Sequence, residues 1–224
     1  MQENKKKTKK VSSQKENKNS GISLKTAKTL KLVAIVFVVL LLIVIAAAQF
    51  GGVTFSTISD YFYSTITSIG SGEGYPYSMN GIEIAEADVT NSDVVLVYDD
   101  SVKILDSTAK ELSNITHAYD HPVMHTNSGR ILLYDEGGNK FRVQSKTRTL
   151  YEKEMKYMIL TASLGKNGSV AVATRAEDAQ SMLTVFNDKE KEIFVWKCAK
   201  ENIISCDVSD NGKLFAVSVL GVEN

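Results

Sequence analysis

The chain has 224 residues and a formal net charge of zero, with 26 basic and 26 acidic side chains. This balance conceals an asymmetry, because ten lysines and only two acidic residues precede residue 32. The remainder therefore holds 16 basic and 24 acidic residues, a net charge of −8. The head, residues 1–31, has no aromatic residues among its lysines, so we expect it to be disordered and not to bind nucleic acid. Such a segment also leaves little room for a cytoplasmic catalytic domain.

An apolar run follows the head, from Leu32 to Ala48, without a single polar side chain. With the next four residues it predicts a transmembrane helix over residues 32–52, since roughly 20 apolar residues span about 30 Å of hydrocarbon. No Lys or Arg occurs between Leu32 and Val102, so the positive-inside rule places the N-terminus in the cytoplasm. The sequence thus predicts a single-pass plasma-membrane protein that contacts the lipid bilayer through Leu32 to Gly52 and has an extracytoplasmic C-terminal domain.

The alternative to this anchor is a cleaved signal peptide, because Ala46, Ala47 and Ala48 form a small-residue cleavage pattern. The long head and the long apolar run favour an uncleaved signal anchor. Beyond the anchor, apolar residues recur at helical spacing within residues 53–72, which predicts a juxtamembrane amphipathic segment or a stalk.

From residue 73 the sequence changes to short apolar runs separated by Asn, Gly, Asp and Ser, which is typical of antiparallel strands. A turn followed by a strand recurs at Asn91, Asn127, Asn167 and Asn211, with spacings of 36, 40 and 44 residues. Alternating segments around each turn complete a unit of four strands. Four short strands in about 40 residues are the content of one β-propeller blade. We therefore predict an all-β, β-propeller-like fold of WD40-like or PQQ-like four-stranded blades over residues 73–224.

The number of repeats bears on how this fold is completed. The region holds about 3.5 blades, whereas propellers generally close with four to eight. We therefore expect the chain to be truncated relative to its natural fold. If its end is natural, the exposed sheet edges predict self-association with another copy.

Three segments point to relatives: GEGYPY at Gly72–Tyr77, the run His121–Val143, and TLYEKE at Thr149–Glu154. Together with the lysine-rich head and the single span, they resemble the DUF5711 family of uncharacterised, membrane-anchored, β-propeller-like proteins of Gram-positive, clostridial-type bacteria. The resemblance covers residues 70–221, and it implies that family members extend beyond the end of this chain. It implies no known activity, so no functional residue is carried over from it.

Three histidines, His117, His121 and His125, are the candidate metal ligands. On a helix their spacing of four would place three imidazoles on one face, as a zinc site requires. Pro122 interrupts such a helix, and in a strand the three would spread over about 26 Å. A turn at residues 119–120 would bring them closer, so the metal site stays open.

Other residues have both a structural and a chemical interpretation. Asp135 and Asn139 flank two glycines, which suits a calcium loop, but the tight turn of a hairpin is the preferred interpretation. Cys198 and Cys206 fall on an outermost strand and on the innermost strand of the next blade, so we do not expect a disulfide. Trp196, with Phe194 or Val195, is expected to pack between blades rather than to hold a ligand.

The sequence contains no nucleophile with a base, phosphate loop or defined carboxylate pair, so we predict no catalytic residue and no cofactor. Two functions remain. The favoured one is a binding or scaffold module at the outer face of the membrane, whose propeller loops bind an envelope protein, a peptide or a glycan. The alternative is an extracytoplasmic polysaccharide hydrolase or lyase, whose site would lie on propeller loops that are distant in sequence.

Overall fold

The computed structural model describes residues 29–39, 41–42, 65–66, 69–79 and 81–221. By its contacts the chain divides into two units, Met1–Gly51 and Gly52–Asn224, and each is described by itself. In the first unit, residues 29–39 and 41–42 are helical, and apolar side chains such as Leu32, Ile35 and Phe37 are each more than half exposed. No helix within the described ranges has both the length and the hydropathy needed to cross a bilayer.

Much of what the sequence predicts for the N-terminal part lies outside the described residues. The predicted head is described only from residue 29, and residues 40 and 43–52 of the predicted membrane helix are not described. Most of the predicted segment 53–72 is likewise outside them. The disordered head, the single span and the amphipathic segment therefore stay predictions.

The described part of the second unit contains three four-stranded antiparallel sheets and one two-stranded sheet. The first blade consists of β1 (Glu86–Thr90), β2 (Asp93–Val97), β3 (Ser101–Leu105) and β4 (Glu111–Thr116). The second consists of β5 (Pro122–Asn127), β6 (Arg130–Asp135), β7 (Lys140–Ser145) and β8 (Thr149–Glu154). The third consists of β9 (Ile159–Leu164), β10 (Val170–Thr174), β11 (Ser181–Phe186) and β12 (Glu192–Cys198). A separate half blade consists of β13 (Asn202–Val208) and β14 (Phe215–Leu220). In every sheet, strands that follow one another along the chain are hydrogen-bonded neighbours, so the predicted propeller-like fold is confirmed.

Tight turns produce these sheets, as the repeat predicts. Asn91 and Ser92, between β1 and β2, have φ angles of 47° and 72°, the left-handed conformation that a two-residue hairpin needs at both central positions. Ser128 and Gly129, between β5 and β6, have φ angles of 50° and 78°. The four repeat turns therefore each lead into the second strand of a sheet.

The first strand of each sheet lies innermost in the array. β1 contacts β5, β5 contacts β9, and β9 contacts β13. Side chains connect these strands, since Thr126 donates a hydrogen bond to Asp88 and Ser163 donates one of 2.8 Å to Asp207. Asn127 Nδ2 also donates to Leu164 O at 2.9 Å, so side-chain hydrogen bonds connect the innermost strands at all three junctions.

The core consists of separate layers between neighbouring blades. Successive side chains of a strand point to opposite faces, so Leu132 and Leu133 of β6 serve two different layers. Leu133 packs with Val97 of the first blade, and Leu132 packs with Val172 of the third. Both leucines are completely buried. A blade between two others must therefore be apolar on both faces.

The face of the first blade opposite the second is covered by a preceding segment, residues 72–79 and 81–84, which we name the cap. Tyr77 and Ile84 of the cap pack against Leu96, Tyr98 and Leu105. The cap therefore buries apolar surface that would otherwise be exposed at this end of the array.

Hydrogen bonds hold the cap against the turn between β3 and β4. Gly72 N donates to Thr108 Oγ1 at 2.8 Å, and the Tyr75 hydroxyl donates to Asp106 O at 3.0 Å. A Cβ at residue 72 would collide with Lys110 N and Thr108 O, which are backbone atoms that cannot move aside. Only glycine allows the cap to approach this turn so closely.

We expect Gly72→Ala to destabilise the second unit by roughly 1–3 kcal/mol, the usual cost of forcing extra volume into packed structure. Urea unfolding of the full chain in detergent, followed by circular dichroism, measures this. Ser71→Ala is the matched control, because Ser71 is exposed and its substitution should stay within about 0.5 kcal/mol of wild type. Equal unfolding midpoints for the two variants would contradict the role of the cap.

Candidate functional site

The structure does not bring the three candidate histidines together. His117 Nε2 lies 3.1 Å from Tyr98 O, at the end of the first blade. His121 is exposed just before β5, and His125 stacks on the ring of Tyr134 with 6.1 Å between centroids. In the ranges that the structure describes, no group of three or more His, Cys, Asp or Glu is placed to hold a metal ion.

His117 nevertheless has a distinct electrostatic environment. Burial lowers its pKa, and the nearby Arg142 guanidinium lowers it further, although the contact with Tyr98 O acts in the opposite direction. The neutral imidazole is therefore the favoured form in the folded protein.

The other candidate residues have structural roles. Asp135 and Asn139 belong to the β6–β7 hairpin, in which Gly138 N donates to Asp135 O at 3.1 Å, so the hairpin interpretation is confirmed. Cys198 and Cys206 are free, buried thiols. Burial raises the pKa of Cys206 to about 12, so this thiol is protonated at neutral pH.

Apolar side chains are exposed on the half blade and the strand beside it. Ile193, Val195 and Trp196 of β12 are 49 %, 42 % and 38 % exposed, whereas Leu112 of β4 and Leu150 of β8, on the corresponding strands of the first two blades, are half-buried. Phe194 makes the predicted contact between blades, with its ring 4.4 Å from that of Phe215 on β14. An additional strand, from any source, would bury this surface.

A charged cavity of ≈ 160 Å³ lies at the junction of the second and third blades. The second blade supplies residues from the start of β6, from the β7–β8 connection and from β8, and the third blade supplies residues of its β11–β12 turn. The lining residues are Arg130, Arg148, Leu150, Tyr151, Asp188 and Glu190. The cavity thus combines two cations, two anions and a phenol on elements anchored in rigid strands.

Arg130 is the most buried of the charged residues that line the cavity, since it is only 9 % exposed. Its Nη1 donates to Asn167 O across the blade junction at 3.4 Å, which is long for a hydrogen bond. The guanidinium occupies the place of a Cβ at Gly168, whose φ of 88° also favours glycine. A guanidinium has five N–H donors, so one long bond leaves most of its capacity available to the cavity.

The Tyr151 hydroxyl is buried and has no hydrogen-bond partner among the described residues. Burial raises the pKa of this hydroxyl, and the Glu190 carboxylate raises it further, while the Arg130 guanidinium lowers it. The hydroxyl is therefore a neutral donor. A buried polar group without a partner costs about 1–3 kcal/mol of stability.

The corresponding place at the junction of the first and second blades is closed by an ion pair. Asp93 begins β2 as Arg130 begins β6, and Lys146 lies in the β7–β8 connection of the second blade. Lys146 Nζ is 3.1 Å from Asp93 Oδ2, and the Asp93 side chain is only 7 % exposed. At equivalent positions, Asp93 therefore has a direct ion-pair partner at one junction, whereas Arg130 has one long hydrogen bond at the next.

No sequence motif predicts this cavity. Its residues extend from Arg130 to Glu190 and form no motif of fixed spacing. The available signal was the repeat register, in which Asp93 and Arg130 occupy equivalent positions with opposite charge. In this register Arg130 is a cation at the start of a strand whose following residues are apolar, which distinguishes it from Asp93.

Comparisons with known proteins identify a family and several similar solved structures. The sequence model of DUF5711, a family of unknown function, matches residues 77–224. No curated protein matches the chain. Solved structures similar to it include Kluyveromyces lactis Hsv2, at 14 % identity over 62 % of this chain and 46 % of that one, with a TM-score of 0.47. KlAtg21, solved with the coiled coil of AgAtg16, is 15 % identical over 57 % of this chain and 45 % of that one, with a TM-score of 0.49.

The C-terminal WD40 domain of Sif2 is also similar, at 12 % identity over 60 % of this chain and 42 % of that one, with a TM-score of 0.47. The chain spans less than half the length of each of these three structures. At such low identity the similarity concerns the fold alone.

The environment of His117 predicts a pH dependence of stability. The unfolded chain, with a histidine pKa near 6.5, binds the proton more readily than the folded one, so His117 stabilises the fold fully above about pH 6.5. This contribution is lost as pH falls below that value toward the lowered pKa of the folded state. We expect His117→Asn to lose less stability than wild type between about pH 7.5 and 5.5 in urea unfolding.

His121→Asn is the control, since His121 is exposed, and it should show the wild-type dependence on pH. If wild type and His117→Asn lose the same free energy of unfolding over this range, burial of a neutral His117 is not the cause.

Proposed function

Since this chain belongs to the DUF5711 family, whose function is unknown, we propose its role from its own geometry: a non-catalytic, membrane-anchored binding or scaffold module of the bacterial cell envelope. Its propeller-like unit faces the extracytoplasmic side. The partner is an envelope protein, a peptide or a glycan.

The charged cavity at the junction of the second and third blades carries this proposal. A concave site with a few convergent polar groups is the usual form of a recognition site. Arg130 and Tyr151 both have hydrogen-bonding capacity that the described chain does not use. Strands packed on both faces hold these side chains, which limits the entropy lost when a ligand binds.

The polysaccharide hydrolase or lyase has less support. A general acid at neutral pH needs a carboxyl group whose pKa is raised. The described carboxyls with a shifted pKa are Asp106, Glu177 and Asp178, and in all three the pKa is lowered. Burial acts to raise the pKa of Asp106, but hydrogen bonds to its ionised form outweigh burial; hydrogen bonds are also the main cause at the other two.

Anchoring is supported by the lysine-rich head and the apolar run that follows it. The helical residues 29–39 and 41–42 have exposed apolar side chains on every side, which suits contact with lipid better than contact with water. An uncleaved anchor would keep the binding unit close to the outer membrane surface.

We expect the two ends of the chain to lie on opposite sides of the membrane. With epitope tags before Met1 and after Asn224, proteinase K added to intact protoplasts should remove the C-terminal tag and spare the N-terminal one, because the lysine-rich head stays inside. Both tags should remain on one membrane-bound chain after carbonate extraction. A protected C-terminal tag would contradict the orientation, and an N-terminal tag separated from the chain would show a cleaved signal peptide instead.

Binding in the charged cavity can be tested in cells by photo-cross-linking. A photoreactive residue in place of the exposed Glu190, at the rim, should yield a cross-linked envelope component, whereas one in place of the exposed Asp120 should not. Adding Arg130→Gln should abolish the product, because the ligand loses its buried partner. Equal products at both positions, or a product that persists with Arg130→Gln, would contradict the site.

A further inference from the structure

The charged cavity is lined by the donors of Arg130 and Tyr151, by the half-buried carboxylate of Asp188 and by the exposed carboxylate of Glu190. Arg130 is 9 % exposed and the Tyr151 hydroxyl is buried, whereas Glu190 is exposed. A guanidinium has only donors, and the raised pKa of Tyr151 keeps its hydroxyl protonated. The guanidinium requires acceptors from a ligand, and the Tyr151 hydroxyl, which can donate or accept, can donate to the same acceptors. A carboxylate supplies them best, because its two oxygens match the fork of a guanidinium.

The size of the cavity restricts what carries this carboxylate. Its volume of ≈ 160 Å³ is below the roughly 300–1,000 Å³ of pockets that enclose a drug-sized ligand. The cavity therefore accommodates the end of a chain, and the rest of the ligand leaves past the rim. We propose that this cavity captures the carboxyl terminus of a peptide, with the terminal carboxylate on Arg130 and Tyr151 and the preceding residue beside Glu190.

The rim adds a preference for the residue before the end of the peptide. Glu190 lies in a turn whose backbone is held by Asn187: Glu190 N donates to Asn187 O at 3.0 Å, and Asn187 Oδ1 accepts from the backbone N of Lys189 and Lys191. The carboxylate of Glu190 is thus presented from a fixed turn. A basic side chain before the terminal residue complements it, and an acidic one is repelled.

A purely structural role for Arg130 explains the geometry less well. At the equivalent place in the preceding junction, Asp93 and Lys146 form a direct ion pair of 3.1 Å. Arg130 instead makes one long bond, beside a phenol that has no partner in the described chain. A bound carboxylate would satisfy both groups at once, as the ion pair satisfies its own two members.

Peptide binding to the full chain in detergent micelles tests this inference, which rests on the proposed binding function. The probe is fluorescein-Gly-Gly-Lys-Ala with a free carboxyl end, measured by fluorescence anisotropy against the same peptide with a terminal amide. We expect the amide to bind about tenfold more weakly or worse, because a charged hydrogen-bond pair is lost. Acetate and free alanine should compete only at concentrations at least about tenfold higher than the peptide.

Variants separate recognition from folding. Tyr151→Phe should weaken binding about threefold or more while the unfolding midpoint stays equal or rises, since the hydroxyl has no partner in the free chain. Arg130→Gln should weaken it about tenfold or more, and Arg175→Gln, at an exposed arginine bonded to Asn202, should not change it. Glu190→Lys should reverse the preference between Lys and Glu before the terminal residue.

The outcomes that overturn the inference are distinct from those that overturn the proposed function. If the free-acid and amide peptides bind equally and both lose affinity with Arg130→Gln, the cavity is a binding site but does not recognise a terminal carboxylate. Acetate that binds as tightly as the peptide would reject the peptide. If Tyr151→Phe and Arg130→Gln bind the peptide as tightly as wild type, or if no peptide binds at all, the cavity does not capture a peptide carboxyl terminus. Cross-linking at Glu190 tests the proposed binding function separately.

Discussion

Burial of both faces of each inner blade is the constraint on which the rest of this structure depends. A strand places successive side chains on opposite sides, so adjacent residues such as Leu132 and Leu133 enter different core layers and both must be apolar. Each layer stabilises two blades at once. The array is therefore cooperative along its length, and no inner blade has a face on which polar residues can be placed without cost.

Because of the same constraint, charged side chains lie mainly at the ends of the strands. A few lie between blades, where hydrogen bonds offset part of the cost of their burial. Arg142 is one of these: its terminal nitrogens donate to Thr116 O at 2.8 Å and Ile115 O at 3.3 Å in the outermost strand of the first blade, while its buried Nε has no partner among the described residues. Arg130 is the contrasting case, because its single bond of 3.4 Å leaves most of its donors unused by the described chain. The two arginines thus differ in how many of their terminal guanidinium donors bond to the described chain.

The two ends of the described array differ in how much of their apolar surface is covered. On the first blade, the cap lays Tyr77 and Ile84 over apolar residues, and Gly72 permits the close approach of the cap to the β3–β4 turn. Near the half blade, Trp196 and Leu220 are 38 % and 61 % exposed. The segment GEGYPY thus has a physical role in covering one end of the sheet array.

The sequence by itself determined the strands, their grouping in fours and the turns between them, because these depend on alternation, on turn residues and on contacts within about 40 residues. It also led to the family and to the hairpin at Asp135. The tertiary structure alone decided that His117, His121 and His125 stay apart, that the cap covers the first blade, and that Arg130 and Glu190 share a cavity. These outcomes depend on the packing of one blade against the next, which joins residues far apart in the chain, and no local spacing records which side chains will meet there or whether they will satisfy each other.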